Sequence, residues 1–389
     1  MNEVLAAKSK LSLAQLIFLS ALFTSPLLSL RIQSFTLSDF LFVASFLLTL
    51  LNHKHQDSLE RLTPSYIVTI GTLIFLVSLC SAIYNPDPLG SLLVILRFVF
   101  LLIFLPWTFI SNFQSSTHST LPIKILQAGI LFFSLSVIYG AFQSGQTFSS
   151  VNRNFGLAEH PTDAGGFLCM GSVLWFCALI RRATLVNFSA FIIINVGVLL
   201  TGSVSAILST TIGILVALLH YQRSNLRLKT AFKFGFLTFF AALILYSRNV
   251  FSINQRIQIA TSGRYDTVSS RLQNYSESVD AIFSDLPHLL LGHGLSQSQS
   301  LVTSYISYSY APHNYILQML YQGGFFFTFL VILYQLFALF KLSKSDIYIR
   351  NQLISIMASQ VIFALTSPVM FTRYLWLPFI LSSYTRSRH

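Results

Sequence analysis

Polar and apolar positions along this chain fall into blocks. Twelve apolar runs stand out: Leu11–Leu30, Leu37–Leu51, Pro64–Tyr84, Leu89–Ile110, Leu121–Phe142, Ala164–Ile180, Ala183–Leu200, Ser203–Tyr221, Ala231–Tyr246, His313–Phe340, Gln352–Leu365 and Pro368–Tyr384. Each is continuous, whereas a barrel strand would alternate, so the runs predict helices. Crossing a bilayer takes about 20 apolar residues. Several runs are shorter than that, and the last two read either as separate spans or as one broken hairpin.

Two polar segments between the runs are long enough to build a site, Gln143–Asp163 and Ser247–Pro312. Loops of that length in a compact protein are usually functional. The second holds a helical pattern of its own, with Leu272, Tyr275, Val279, Ile282, Phe283 and Leu286 at helical spacing and Pro287 ending it. This predicts an amphipathic helix lying over the bundle mouth. A start near Ser262 would put Arg264 and Arg271 on nearly one face, about 10 Å apart along the axis.

Composition turns these helices into membrane spans. Hydrophobic residues make up 54% of the chain and charged residues 9%, too few charges to cover a soluble protein of this size. The expected architecture is all-α: a single membrane domain over residues 1–389 with about twelve transmembrane helices. The first run ends at Arg31 without a small-residue cleavage site, so no cleavable signal peptide is expected. The formal charge of +12 records topology. With a cytoplasmic N-terminus and twelve spans, every lysine and half of the arginines fall on the cytoplasmic side, and both termini lie there. The remaining eight are arginines: Arg31, Arg97, Arg153, Arg248, Arg256, Arg264, Arg271 and Arg373. That is the positive-inside bias. Scattering of the basic residues over short loops argues against nucleic-acid binding. Cys80, Cys169 and Cys177 all lie within apolar runs, where neither a disulfide nor a zinc site is expected.

The candidate chemistry gathers at the outer face. The span 313–340 opens on His313 and Asn314 directly behind Pro312, and Asn314, Gln318 and Tyr321 form a polar stripe at i, i+4 and i+7. Polar groups at membrane depth are costly and tend to mark sites. Read alone, His313 is either an interfacial helix-capping residue or a proton acceptor. The first outer loop, 143–163, carries Arg153 and then "GLAEHPTDAGG", with His160 before a proline. Acidic residues number only 12, and Glu159 and Asp163 around His160 come nearest to a cluster, a poor fit to Mg²⁺ or Mn²⁺. Neither a metal nor another cofactor is expected.

Four stretches together resemble the bacterial O-antigen ligase and O-antigen polymerase family: Arg153 with the His-Pro loop, the Thr-Gly-Ser turn in "LLTGSVSAILS", Arg271 in "SSRLQNYSESVDAIFSDLPHLLLGHGL", and "APHNYILQMLYQGG". The resemblance runs from about Arg153 to Gly324. Many members carry an arginine after the turn, where this chain has Val204 and Ser205, and a tryptophan where it has Tyr275.

The resemblance implies a GT-C-like membrane fold with one long periplasmic loop, 247–312. It further implies an enzyme of the inner membrane that moves a glycan from undecaprenyl diphosphate to an acceptor hydroxyl, without a metal and with inversion. The acceptor is a lipid-linked repeat unit or lipid A-core, and a chain-length regulator is a possible partner. Under this reading His313 is the catalytic base. Arg153, Arg271 and Arg264 bind the donor diphosphate, since arginine's planar fork suits phosphate oxygens. His160, Asn314 and Tyr275 support them. The alternatives are a transporter or flippase of lipid-linked oligosaccharides, which would carry polar residues on broken helices at the midplane, and a protein O-oligosaccharyltransferase.

Overall fold

The computed structural model describes residues 11–32, 35–52, 65–83, 85, 87–113, 120–143, 154–222, 267–295, 312, 314–342, 347–367 and 369–383. These are 84% helical. The helices are α1 (Leu13–Thr24), α2 (Leu37–Asn52), α3 (Ser65–Ala82), α4 (Pro88–Val99), α5 (Leu105–Phe113), α6 (Leu121–Gln143), α7 (Pro161–Arg181), α8 (Leu185–Thr201), α9 (Val204–Gln222), α10 (Thr267–Ile282), α11 (Leu286–Leu291), α12 (Tyr315–Leu342), α13 (Ile347–Ala364) and α14 (Arg373–Ser382). Between α1 and α2 the antiparallel strands β1 (Arg31–Ile32) and β2 (Phe35–Thr36) form a short ladder.

Six stretches are long and apolar enough to cross a membrane: Ser65–Ala82, Pro88–Phe113, Leu121–Gln143, Pro161–Arg181, Val204–Tyr221 and Tyr315–Leu342. α1, α2 and α8 are shorter apolar helices. Eleven of the twelve apolar runs thus carry helix, and Ala231–Tyr246 lies outside the described residues. The protein is an α-helical membrane protein. α4 and α5 are continuous through a π-helical turn at Phe100–Phe104. α13 and α14 are separate helices packed on one another.

Local chemistry sets the helix ends. Ser12 and Gln15 form a capping box on α1, and Asp87 caps α4 ahead of Pro88. Thr184 caps α8, and that helix ends at Gly202 in the left-handed conformation, within the Thr-Gly-Ser turn. α12 begins with Asn314, whose Oδ1 accepts from Ile316 N at 2.9 Å and Leu317 N at 3.2 Å. Asn314, two residues past the proline, is therefore the cap.

α7 is buried along most of its length and packs against α6, α8, α9, α13 and α14. Trp376, Tyr334 and Tyr374 are the bulkiest buried side chains. Facing outward, α12 presents Phe325, Phe329, Leu336 and Phe340, a surface suited to lipid.

Two sequence expectations change. The loop helix α10 is described from Thr267 to Ile282, and Ser262 and Arg264 lie outside the described residues; Pro287 does not end the pattern but opens the next helix, α11, in its first turn. The apolar stripe of α10 is also split. Ile282 is buried, while Leu272, Val279, Phe283 and the following Leu286 are exposed.

Candidate functional site

α12 is broken at Gly324, where φ is 73° and ψ −174°. Such a break leaves carbonyls without their helical donors, and buried carbonyls need partners. The segment after α11 supplies them. His293 N donates to Tyr321 O at 2.9 Å, Gly294 N to Gln322 O at 2.9 Å, and Ser81 Oγ to Gln322 O at 3.0 Å. Gly292 and Gly324 face each other so closely that a Cβ on Gly324 would come within 2.5 Å of Gly292 N. The Gly-His-Gly segment and the glycine step of α12, 30 residues apart in sequence, form one unit. Leu295 O extends it, accepting from Ser91 Oγ at 2.6 Å.

Three rings stack beside this joint. His288 lies over His293 with centroids 4.1 Å apart, and His293 over Tyr321 at 4.6 Å. Asp285 Oδ2 is 2.7 Å from His288 Nδ1, and Asp285 also caps α11 through His288 N. Partial burial and the neighbouring His288 hold the His293 imidazole below its ordinary range. Hydrogen bonds from His288 lower the Asp285 carboxyl in turn.

The polar stripe on α12 points into the protein. Asn314 Nδ2 donates to Leu365 O at 3.2 Å, and Gln318 Oε1 accepts from Met370 N at 3.2 Å. Tyr321 packs against Ile282 of α10. The turn between α13 and α14 is therefore held by the first two turns of α12.

From that turn the connections run to the His-Pro loop. Tyr374 OH lies 3.3 Å from Asp163 Oδ1, on the first turn of α7. His160 is the exposed N-cap residue of α7, with no side-chain bond to that helix. Glu159 pairs with Arg31 at 2.7 Å. Asn154 N donates to Leu200 O at 3.2 Å, fixing this loop beside the Thr-Gly-Ser turn. The described residues of all four sequence motifs thus lie at one end of the bundle, around the start of α14.

His313, Arg153 and Arg264 lie outside the described residues; for Arg271 the backbone alone is described, in the second turn of α10. Tyr275 is half-buried on the same helix. Sequence reasoning missed Arg373. This side chain is 13% exposed and donates to Ser38 Oγ, to Thr36 Oγ1 at 2.5 Å and to Asp39 Oδ2 at 2.9 Å. Its partners are more than 330 residues away in sequence, and only its place among the eight arginines set apart by the charge bias drew attention to it.

Residues 188–332 match the family model described as O-antigen ligase. This region is similar to the O-antigen ligase family. It runs from α8 through the Thr-Gly-Ser turn, α10, the Gly-His-Gly segment and the break in α12. The resemblance seen in the motifs is thereby shown for the part of the chain that holds three of the four. No curated protein matches the chain.

Proposed function

We propose that the chain transfers a glycan from an undecaprenyl-diphosphate donor to a sugar hydroxyl, extending a lipid-linked repeat or joining it to lipid A-core. The observation carrying this reading is the union of the two most distinctive motifs. The Gly-His-Gly segment that follows Arg271 in sequence completes the hydrogen bonds of the helix that Asn314 caps. A match to the O-antigen ligase family over the same residues supports it.

In this mechanism the acceptor oxygen attacks the anomeric carbon from the face opposite the diphosphate. His313 takes the hydroxyl proton, as a neutral imidazole can near pH 7. The carbon–oxygen bond to the diphosphate breaks, and its electron pair leaves with the diphosphate, giving inversion. Arg153 and Arg271, with Arg264 as a further partner, neutralise the charge that grows on that leaving group. His160, Tyr275 and Asn314, the cap of α12, support these residues. No step uses a metal. The site faces the periplasm, and both termini lie in the cytoplasm, in agreement with the lysine and arginine asymmetry.

The test is transfer by purified protein from a polyprenyl-diphosphate glycan, with and without EDTA. Arg271→Ala and Arg153→Ala are expected to abolish product at unchanged protein level. Lysine at either position rescues poorly, because a point charge does not reproduce the two-pronged phosphate contact. Arg264→Ala keeps partial activity. Full turnover in Arg271→Ala removes the diphosphate clamp, and loss of wild-type turnover in EDTA removes the metal-free mechanism.

A further inference from the structure

The loop helix α10 and the short α11 form an elbow whose buried side is set by α12. Ser278 and Ile282 are buried, and Ile282 packs with Leu289 of α11 against Tyr321 of α12. α11 also packs on α3. Beside that buried side, Leu272, Val279 and Phe283 share one face of α10 at i, i+7 and i+11, and all three are exposed. Gln273, Ser276 and Asp280 occupy the next face round and are exposed as well. The helix therefore has three sides: one on the protein, one apolar and bare, one polar.

The spans that this elbow touches set its level in the bilayer. A hydrocarbon core about 30 Å thick takes about 20 helical residues. Lys341 lies in the last turn of α12, where its ammonium marks one membrane boundary. About 20 residues back along that helix stands Tyr321, at the opposite boundary. Two more spans end at the same level. Ser81, next to the last residue of α3, donates to Gln322 O at 3.0 Å. Ser91, in the first turn of α4, donates to Leu295 O at 2.6 Å. Beside those two helix ends, Ile83 and Leu89 are 78% and 77% exposed. At the elbow, Phe283 and Leu286 are 67% and 66% exposed. Large apolar side chains thus stand bare around one boundary, and Phe325 and Phe329 continue that surface down α12. An apolar face at this level, continuous with lipid-facing spans, meets lipid.

We infer that the α10–α11 elbow inserts Phe283 and Leu286 among the acyl chains of the bilayer, with Val279 and Leu272 following along the boundary. Gln273, Ser276 and Asp280 stay on the water side. Glu277, Asp280 and Asp285 make the elbow acidic, so apolar burial holds it there and attraction to anionic headgroups does not. The anchor fixes at membrane level the helix whose second turn carries Arg271. The inference needs only the membrane setting and stands apart from glycan transfer.

Spin labelling of the full-length protein in phosphatidylcholine liposomes tests it. Cys169 and Cys177 are buried, so Cys80→Ser removes the one exposed thiol. A nitroxide is then attached through Phe283→Cys, Leu286→Cys or, as the water-side control, Asp280→Cys. All three positions are exposed, so the label disturbs no packing. Molecular oxygen concentrates in hydrocarbon, whereas a neutral nickel chelate stays in water. Labels at 283 and 286 are expected to collide more with oxygen than with the chelate, and the order reverses at 280. A label at 283 that meets the chelate as freely as the label at 280 overturns the insertion. So does shielding of 283 and 286 from both agents, because another protein surface, a second copy or a further segment of this chain, then covers the face.

Discussion

At the scale of single residues, Gly324 and Asn314 show how little side chain a junction needs. Gly324 adopts a positive φ with Gly292 N and Leu290 O pressed against the place of its missing Cβ. Alanine there meets both backbone strain and a collision. Gly324→Ala should therefore cost on the order of 1–3 kcal/mol from strain alone, read as a lowered melting temperature of the purified protein. An alanine variant as stable as the wild type would mean that the two segments do not meet. Asn314 was legible as a polar residue at a helix start, and its stripe partners Gln318 and Tyr321 do point inward. Its role as cap was not legible, because His313 competed for it. Arg373 gave no local signal. Its meaning comes from Asp39 and Thr36, which sequence distance hides.

Among the elements, the helices could be read from continuous apolar runs because lipid rewards continuity over alternation. Their ends follow side chains that the sequence displays, such as Ser12, Asp87 and Thr184. α10 was harder. Its buried face is Ser278 and Ile282, and its more apolar stripe stays exposed, a pattern set by packing on α12 and suited to an interfacial helix. The docked Gly-His-Gly segment should also respond to pH. His293 faces His288, Asp285, Tyr321 and the Ala281 carbonyl. Its folded pKa lies below the unfolded value near 6.5, so folding favours the neutral ring. The stability from this group is full above that unfolded pKa and is lost as pH falls through the window beneath it. Asp285, with a lowered pKa, stays ionised there. Protection of the His293 and Gly294 amides, taken as intrinsic over observed exchange rate, is expected to fall from pH 7.5 to 5.5. That loss of protection should vanish in His293→Asn. An unchanged ratio of protected to intrinsic exchange would contradict the coupling.

For the whole molecule, the structure draws motifs spread over more than 150 residues to one end of a helical bundle, around the start of α14. We propose, from the charge bias, that this end faces outside. Alkaline phosphatase fused at Gln297 should be active and at Asn225 inactive; the reverse pattern would overturn the topology and the mechanism with it. The central claim is that proton removal and diphosphate binding belong to different side chains. It is tested most directly by comparing donor binding and single-turnover transfer in His313→Gln. Because Asn314 already caps α12, His313→Gln is expected to leave the helix and donor affinity intact while transfer stops. A His313→Gln variant that binds donor normally and still transfers at close to the wild-type rate would contradict the account and turn attention to His160.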